Sequence, residues 1–428
     1  MNFEQNIGRS EQIARTIEAH KQTFKCEPSV IASAPGRFHL MGEHTWFFGG
    51  KTLSMSIDRF VCVSVSIRND DLLRFHYVES DDNKHISLSS LRFRKEDKWA
   101  NSIKAAIYSF ISGSIIERTG EDQIPKMPGL DFCVSSPILP SSGMGVTTAM
   151  KVASACAVNE LLDLDCPDSE LLSVLDKGSR EFLKEDEENH LAENLTAMFS
   201  KKDSLVLTNH DSRHIAEAFE LVDFPFSKSL SKKNILLVDA HVPRLTSWSE
   251  RSIMKEENKK LLKLLRHARQ DGSWKYEDDM AEIRDVLSSV SEDSRRHLYG
   301  VINEHKCVLS SLDALKEGVF SAFARAVNKS HENMRDFYDI SCPEIDWILK
   351  RLVEINPNPD RDHNPVCCGR ITGQGFSRCL FAILDDANVP EFEKRLSEYS
   401  KIFGFKADVL SVKSADGVIV ERINNRVR

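Results

Sequence analysis

The sequence lacks three features that would point to a membrane, secreted or zinc-binding protein. No segment approaches the roughly 18 consecutive apolar residues of a membrane-spanning helix. The opening residues, MNFEQNIGRS, contain no apolar stretch typical of a secretion signal. The ten cysteines are irregularly spaced, without a CxxC pair, which argues against a zinc site. We therefore expect a cytoplasmic protein with free thiols and no membrane partner.

Basic charge is also too scarce and too scattered for a nucleic-acid-binding protein. The chain has 57 Lys and Arg residues against 65 Asp and Glu, a net charge of -8. We therefore expect no nucleic-acid partner. The composition, 41% hydrophobic and 29% charged, is typical of a globular protein with a large core. A length of 428 residues suggests two or three domains.

Strands and helices follow each other in mixed order along the chain. Segments rich in Val and Ile predict strands at 30–34, 60–68, 130–136, 204–208, 234–239, 368–372, 378–384, 406–412 and 417–421. Apolar residues at helical spacing predict helices at 9–23, 99–115, 146–163, 170–200, 250–270, 280–290, 295–317, 318–337 and 390–403. Because no regular βαβ repeat is present, we predict an α+β fold of two lobes. The boundary is expected near 215–230, which gives an N-terminal lobe of 1–222 and a C-terminal lobe of 223–428.

Residues 32–59 gather chemically useful side chains in one short segment, ASAPGRFHLMGEHTWFFGGKTLSMSIDR. Its glycines permit tight turns and a close approach of the backbone to a ligand. Arg37 could neutralise phosphate charge, and Glu43 and His44 could orient hydroxyl groups. On these residues alone, a glycine-rich turn with a surface ion pair is the simpler alternative.

This segment resembles the galactokinase signature APGRxNLIGEHTDYNGGxVLPMAIDR. Galactokinases are a branch of the GHMP kinases, named for galactokinase, homoserine kinase, mevalonate kinase and phosphomevalonate kinase. The resemblance implies that Glu43 and His44 contact a sugar and that Arg37 assists phosphoryl transfer, in an active site between the two lobes. The sugar-binding Asp of the family is Trp46 here, and an indole offers only an N–H donor. Trp46 is therefore expected to contact the sugar differently, by stacking on it or by narrowing the pocket.

Residues 137–153, PILPSSGMGVTTAMKVA, resemble the phosphate loop PxGxGLSSSAS of the wider family. Such a loop attracts phosphate through backbone N–H groups at a helix N-terminus. The resemblance implies that Gly143, Gly145 and Thr147 bind the nucleotide, and that the Thr147 hydroxyl contacts Mg²⁺. Val146 removes one hydroxyl of the family Ser pair, and Ser141 and Ser142 replace loop glycines. A structural helix-capping loop is the alternative.

Residues 190–200, HLAENLTAMFS, are similar to the family segment GIMDQxxSLFG. Glu193 occupies the position of the family Asp, which implies that it orients or deprotonates the sugar hydroxyl. His190 occupies the position of a Gly that lies against the sugar, and Asn194 that of a Gln. Glutamate is one methylene longer than aspartate, and a misplacement of about 1 Å can cost roughly 100-fold in rate. An exposed helix glutamate is the alternative.

Further segments extend the resemblance over roughly 30–385. WANSIKAAI (99–107) resembles WxNYVKGxI, which implies that Trp99 flanks the adenine, with an ordinary core tryptophan as the alternative. Residues 320–348 give the match that is most specific to galactokinases, and the resemblance implies a structural role for this segment. CGRITGQGFSRCLFAIL (368–384) resembles GARMTGGGFGGCxVALV, with Ser377 and Arg378 in place of glycines. Arg251 replaces a family tyrosine over the sugar ring.

The resemblance predicts a galactokinase-like sugar kinase that transfers a phosphoryl group from ATP, with Mg²⁺, to the anomeric hydroxyl of galactose or a related sugar. Catalysis would rest mostly on positioning and electrostatics. We expect a monomer whose partners are the sugar and ATP. The alternative is a non-catalytic sugar sensor or partner-binding protein on the same scaffold. It is suggested by substitutions at positions that the family uses for binding or catalysis: Trp46, Val146, His190, Asn194, Ser377 and Arg378.

Overall fold

In the computed structural model, two large β-sheets covered by helices and two short strand pairs account for most of the described chain. The described residues are 7–119, 124–138, 140, 142–185, 189–212, 214, 217–228, 232–243, 258, 260–262, 266–268, 274–276, 288, 290–355, 364–373 and 378–423. Ser141, Arg251 and Ser377 lie outside these ranges, as do most of the predicted helices 250–270 and 280–290.

The elements alternate along the chain in mixed order. The strands are β1 (Val30–Met41), β2 (Lys51–Ile67), β3 (Leu72–Tyr77), β4 (Asp82–Ser87), β5 (Arg118–Thr119), β6 (Ile124–Pro125), β7 (Leu130–Ser135), β8 (Ser204–Asn209), β9 (Phe219–Asp223), β10 (Asn234–Asp239), β11 (Arg266–Ala268), β12 (Trp274–Tyr276), β13 (Cys368–Ile371), β14 (Cys379–Leu384), β15 (Asp408–Val412) and β16 (Ile419–Arg422). The helices are α1 (Arg9–Phe24), α2 (Ala100–Ser112), α3 (Val146–Leu161), α4 (Asp168–Gly178), α5 (His190–Phe199), α6 (Glu292–Glu317), α7 (Phe320–Asp336), α8 (Pro343–Val353) and α9 (Val389–Phe403). The predicted α+β class is confirmed.

Four local predictions differ from the structure, among them the strand predicted at 60–68, which begins at Lys51 as part of β2. The predicted helix 170–200 is interrupted, because α4 ends at Gly178, a π-helical turn spans Ser179–Leu183, and α5 begins only at His190. Residues 266–268, inside the predicted helix 250–270, pair as a strand with β12 instead. The strand predicted at 30–34 continues to Met41 through a register shift between Pro35 and Gly36, since a bulge accommodates a residue that cannot donate to the ladder.

The first sheet has the strand order β16-β1-β2-β7-β3-β4, with β8 beside β2 and β9 beside β8. β2 spans 17 residues and pairs with β1 along one edge and with two further strands along the other. Its second half pairs with β7 through Cys62–Ile67, and its start pairs with β8 through Lys51–Ser54. β3 is parallel to β7 and antiparallel to β4.

The alternation of side chains in β2 separates two packing faces, as the pleat requires. Val63 and Val65 belong to the main hydrophobic core. Ser64 and Ser66 instead hydrogen-bond, each at 2.9 Å, to the two ring nitrogens of His20 on α1. Burial lowers the pKa of His20 to about 4. The neutral His20 imidazole therefore provides a hydrogen-bond partner for both the Ser64 and the Ser66 hydroxyl on this face of the sheet.

The second sheet has the strand order β13-β14-β10-β15, and each pair of adjacent strands in it is antiparallel. A separate hydrophobic cluster lies between this sheet and helices α6, α8 and α9. The chain then returns to the first sheet, where β16 pairs with β1. The division into lobes 1–222 and 223–428 stays a proposal, and β16 crosses it.

All ten cysteines are free thiols, as expected. In the described ranges, no helix is both long and apolar enough to cross a bilayer. The same ranges contain no group of three or more His, Cys, Asp and Glu side chains placed to hold a metal ion.

Candidate active site

Arg37 and Glu193, the two predicted catalytic residues, form a buried ion pair. Arg37 extends from β1, and its Nη2 donates to Oε1 of Glu193, which lies in the first turn of α5. The other carboxylate oxygen, Oε2, accepts a 2.5 Å hydrogen bond from the hydroxyl of Thr148 on α3. Arg37 is 5% and Glu193 8% exposed. Weak solvent screening makes this pairing stronger than a surface ion pair.

Two glycines of the predicted phosphate loop allow it to pack tightly beside this pair. Gly143 and Gly145 have φ angles of +74° and +69°, a region that side-chain-bearing residues rarely adopt. A Cβ on Gly143 would lie 2.7 Å from the Gly373 nitrogen, and one on Gly145 would lie 3.0 Å from Nε of Arg37. The loop therefore passes between β1 and the turn after β13, where only glycine fits.

Further hydrogen bonds fix the loop in this place. The Arg37 backbone N–H donates to the Met144 carbonyl at 2.9 Å, and Nη1 of Arg37 donates to the Gly143 carbonyl at 3.3 Å. From the opposite side, the Thr372 hydroxyl donates to the Ser142 carbonyl at 2.8 Å. The loop is thus held by both sheets before α3 begins.

Thr147 and Trp99 line one cavity of about 900 Å³, a volume typical of small-ligand sites. Thr147 is exposed in the first turn of α3. Trp99 lies with its ring centroid 5.2 Å from that of Tyr77 and donates from Nε1 to Asp82 at 2.9 Å. Because the N-terminus of α3 opens beside this cavity, its backbone N–H groups and dipole suit a phosphate.

Glu43 is buried and engaged by cationic and polar neighbours. Nη1 of Arg370 donates to Oε2 of Glu43 at 2.9 Å, and Nε2 of His44 lies 3.4 Å from Oε1. Burial by itself raises the pKa of a carboxyl group, but the Arg370 charge and the His44 contact outweigh it and hold the pKa of Glu43 at about 2. Glu43 is therefore ionised at neutral pH.

A second buried carboxylate, Glu304, lies on the other side of Arg370. It accepts from the Gly42 N–H at 2.8 Å and from the Ser330 hydroxyl at 2.8 and 2.9 Å. Nη2 of Arg370 lies 3.5 Å from its Oε1. This network joins the turn that carries Glu43 to α6, α7 and β13.

Sequence reasoning missed Glu304, although one signal was present. Glu304 lies between Val301 and Val308 on the buried face of α6. A charged residue in an apolar helical stripe indicates a buried partner. Sequence reasoning also missed Thr148. Nothing in the sequence distinguishes the Thr148 hydroxyl from that of its neighbour Thr147.

Asn189, also missed, ties the start of α5 to the segment that carries Glu43. As the N-cap, its Oδ1 accepts from the Ala192 N–H at 3.3 Å. Its Nδ2 donates to the Thr52 hydroxyl at 3.0 Å and to the Glu43 carbonyl at 3.4 Å. An Asn before a helix is a capping signal, and the cap here also positions Glu193 one turn later.

The remaining predicted sugar residues have other neighbours in the structure. His44 is buried with its ring 5.3 Å from that of Tyr338. Trp46 is half-buried, with its ring edge-on to Phe47 at 6.0 Å. His190 bonds through Nε2 to the Glu185 carbonyl, and burial lowers its pKa to about 4. Their sugar contacts stay predictions.

Arg378, which replaces a family glycine, bonds to side chains at the end of β10. Its Nε donates to Asp239 Oδ1 at 2.6 Å, and Nη2 contacts both Asp239 and His241. The guanidinium is thus engaged at the end of β10.

Comparisons with known proteins agree with the family suggested by the sequence. The galactokinase galactose-binding signature matches residues 18–67, and the GHMP kinases N terminal domain matches residues 102–200. A Treponema pallidum (strain Nichols) protein, provisionally named a galactokinase, is 36% identical over 416 residues, which cover 96% of this chain and 97% of that protein. The galactokinase of Thermotoga petrophila is 28% identical over 386 residues, covering 90% and 98%.

Solved structures show the same fold. The crystal structure of Lactococcus lactis galactokinase complexed with galactose matches with a TM-score of 0.78 at 18% identity, covering 95% of this chain and 99% of that one. Methanococcus jannaschii mevalonate kinase matches with a TM-score of 0.59 at 15% identity, covering 90% and 98%. The predicted galactokinase-like kinase is thereby confirmed, and nothing in these comparisons favours the non-catalytic alternative. The chain belongs to the galactokinase branch of the GHMP kinase family.

Proposed function

We propose that this protein transfers the γ-phosphoryl group of ATP to the anomeric hydroxyl of galactose or a closely related sugar. The observation that carries this proposal is the buried Arg37–Glu193 pair beside the glycine loop and the N-terminus of α3. The match of residues 18–67 to a galactose-binding signature supports a sugar of the galactose type.

Glu193 would accept the hydrogen bond of the attacking hydroxyl and remove its proton as the bond to phosphorus forms. Arg37, in contact with the same carboxylate, would stabilise the charge that develops on the transferred group. Since the phosphoryl transition state is loose, most of the rate enhancement comes from such positioning and charge stabilisation.

The residues around the 900 Å³ cavity suit a nucleotide. Trp99 offers an aromatic wall for the base, and the α3 N-terminus offers N–H groups to the phosphates. Gly145 lets the loop pack closely against Arg37, where a Cβ would lie 3.0 Å from Nε. Thr147 would hold Mg²⁺ together with the phosphates, and such an ion neutralises phosphate charge when bound.

The substitution at Trp46 bears on which galactose-like sugar the protein prefers. An indole replaces a hydrogen-bond acceptor by an aromatic face and one donor. A site built to bond a particular hydroxyl discriminates strongly against a sugar that leaves a polar group unpaired. We therefore propose that the preferred sugar differs from galactose at, or close to, the hydroxyl that faces this residue.

A binding titration tests the nucleotide and sugar sites in turn. The melting temperature of the protein is first measured with MgATP, and then with MgATP plus each of a panel of hexoses and aminosugars. Saturable stabilisation by MgATP, increased by one sugar, is the expected result. Absence of any nucleotide effect at millimolar ATP would contradict the kinase proposal.

The cytoplasmic location and monomeric state expected from the sequence also stay proposals.

A further inference from the structure

Thr148 and Arg37 hold the two oxygens of the Glu193 carboxylate from different sides. Arg37 approaches Oε1 from β1, and the Thr148 hydroxyl approaches Oε2 from α3 at 2.5 Å. Thr148 is 4% exposed, so water does not compete for this hydrogen bond. The length is typical of a hydroxyl bonded to an ionised carboxylate, which is stronger than a neutral hydrogen bond.

This arrangement matters because Glu193 has one more rotatable bond than an aspartate. A longer side chain has more conformations to lose when it must present an oxygen in one place. A single partner at Oε1 would leave the carboxylate free to rotate about its last torsion. A second donor at Oε2 fixes the plane of the group, and reaction rates are sensitive to such placement.

Adjacent hydroxyls of α3 face different surroundings. Successive residues of a helix point about 100° apart. Thr147 is exposed and lines the cavity, whereas Thr148 is buried against Glu193. The two side chains can therefore serve two different parts of one reaction.

We infer that Thr148 is a positioning residue that fixes the Glu193 carboxylate for proton removal from the sugar. The inference rests on the proposed role of Glu193. It assigns to Thr148 no contact with the sugar or the nucleotide. Its effect should therefore appear in turnover and not in substrate affinity.

The test compares two substitutions at one position in the full-length protein. Thr148→Val keeps the shape and removes the hydroxyl, and Thr148→Ser keeps the hydroxyl and removes a methyl group. With the sugar that the titration identifies, we expect Thr148→Val to lower kcat at least tenfold while both KM values change less than twofold. Thr148→Ser should retain at least a third of wild-type kcat. If Thr148→Val does not fold, Thr148→Ala serves in its place.

A pH profile separates positioning from a purely structural defect. Removing a hydrogen bond to the charged form of a carboxyl group disfavours ionisation. The acidic limb of kcat should therefore move to higher pH in Thr148→Val and not in Thr148→Ser. An unchanged kcat in Thr148→Val, or an equal loss in both variants, would overturn the inference.

A Glu193→Gln variant distinguishes this failure from failure of the proposed function. If Glu193→Gln is inactive while Thr148→Val is fully active, only the role of Thr148 is wrong. If Glu193→Gln turns over like wild type, the proposed role of Glu193 fails, and the inference with it. In the double variant, Thr148→Val should add no further loss, since both residues act on one carboxylate.

Discussion

The Arg370 guanidinium donates a 2.9 Å hydrogen bond to the Glu43 carboxylate, and both side chains are buried. The other side of Arg370 faces Glu304, 3.5 Å away. One cation thus lies between two carboxylates from distant parts of the chain. The turn carrying Glu43 and His44 is therefore fixed from the side of β13 and α6, before any sugar binds.

Replacing Arg370 should destabilise the protein strongly. Arg370→Met leaves two buried carboxylates without their cation, and breaking a buried pair typically costs about 3–5 kcal/mol. Urea denaturation measures the change in free energy of unfolding. Lys228→Met, which breaks the exposed Lys228–Asp223 pair, is the control and should cost under about 1 kcal/mol. Equal losses in the two variants would refute the importance of the network.

The ionisation of Glu43 should make part of the stability dependent on acid. Its pKa is about 2 in the folded protein, against 4.5 for an ordinary glutamate. A depressed carboxyl pKa stabilises the folded state above the unfolded pKa, and this contribution of about 3 kcal/mol is lost as the pH falls from about 4.5 towards 2. We expect the difference in unfolding free energy between wild type and Glu43→Gln to shrink over that range. A difference that is the same at pH 3 and pH 7 would contradict this account.

Gly143 should tolerate no side chain. Gly143→Ala places a Cβ 2.7 Å from the Gly373 nitrogen at a φ of +74°. Gly404 is a matched control, because its φ is +77° but nothing lies within 4 Å of its Cβ position. The strained backbone alone should cost about 1–2 kcal/mol in Gly404→Ala. Gly143→Ala should cost clearly more and weaken MgATP binding at least tenfold, and calorimetry that finds no difference between the two would count against the loop packing.

Trp46 should limit recognition of galactose. Trp46→Asp restores a charged acceptor, and a hydrogen bond to a charged group contributes about 1.5–3 kcal/mol. The KM for galactose should fall about tenfold while the KM for ATP stays unchanged. Phe47→Asp, at the adjacent position, is the control and should bring no gain. An unaltered galactose KM in Trp46→Asp would mean that the pocket differs from the family at other positions too.

Much of the scaffold follows from local sequence patterns. The helix predicted at 146–163 and the strand predicted at 234–239 lie within two residues of α3 and β10. Apolar periodicity determines these elements directly. β1 was predicted too short, because Pro35 and Gly36 suggest a break, whereas pairing with β2 on one side sustains the strand through a bulge. Long-range pairing of this kind is not visible in a local window.

The active site was predictable only where a motif was retained. Arg37 and Glu193 are 156 positions apart, and each was assigned to the active site through resemblance alone. The structure brings them together in one buried ion pair. Thr148 lies in the phosphate-loop segment but had no role assigned there, and Glu304 belongs to no recognised motif. The role of each depends on which side of a helix faces a distant partner. Trp46, His190 and Arg378 depart from the family pattern, and the structure gives new partners for His190 and Arg378.

The most direct test of the central claim is phosphorus NMR of a reaction mixture containing the protein, MgATP and the sugar that stabilises the protein most. The account predicts a new sugar 1-phosphate signal that grows as ADP appears, with a rate at least 100-fold lower in Glu193→Gln. Phosphate on another hydroxyl would contradict the proposed site of transfer. Absence of any sugar phosphate with every sugar of the panel would contradict the assignment of this protein as a sugar kinase.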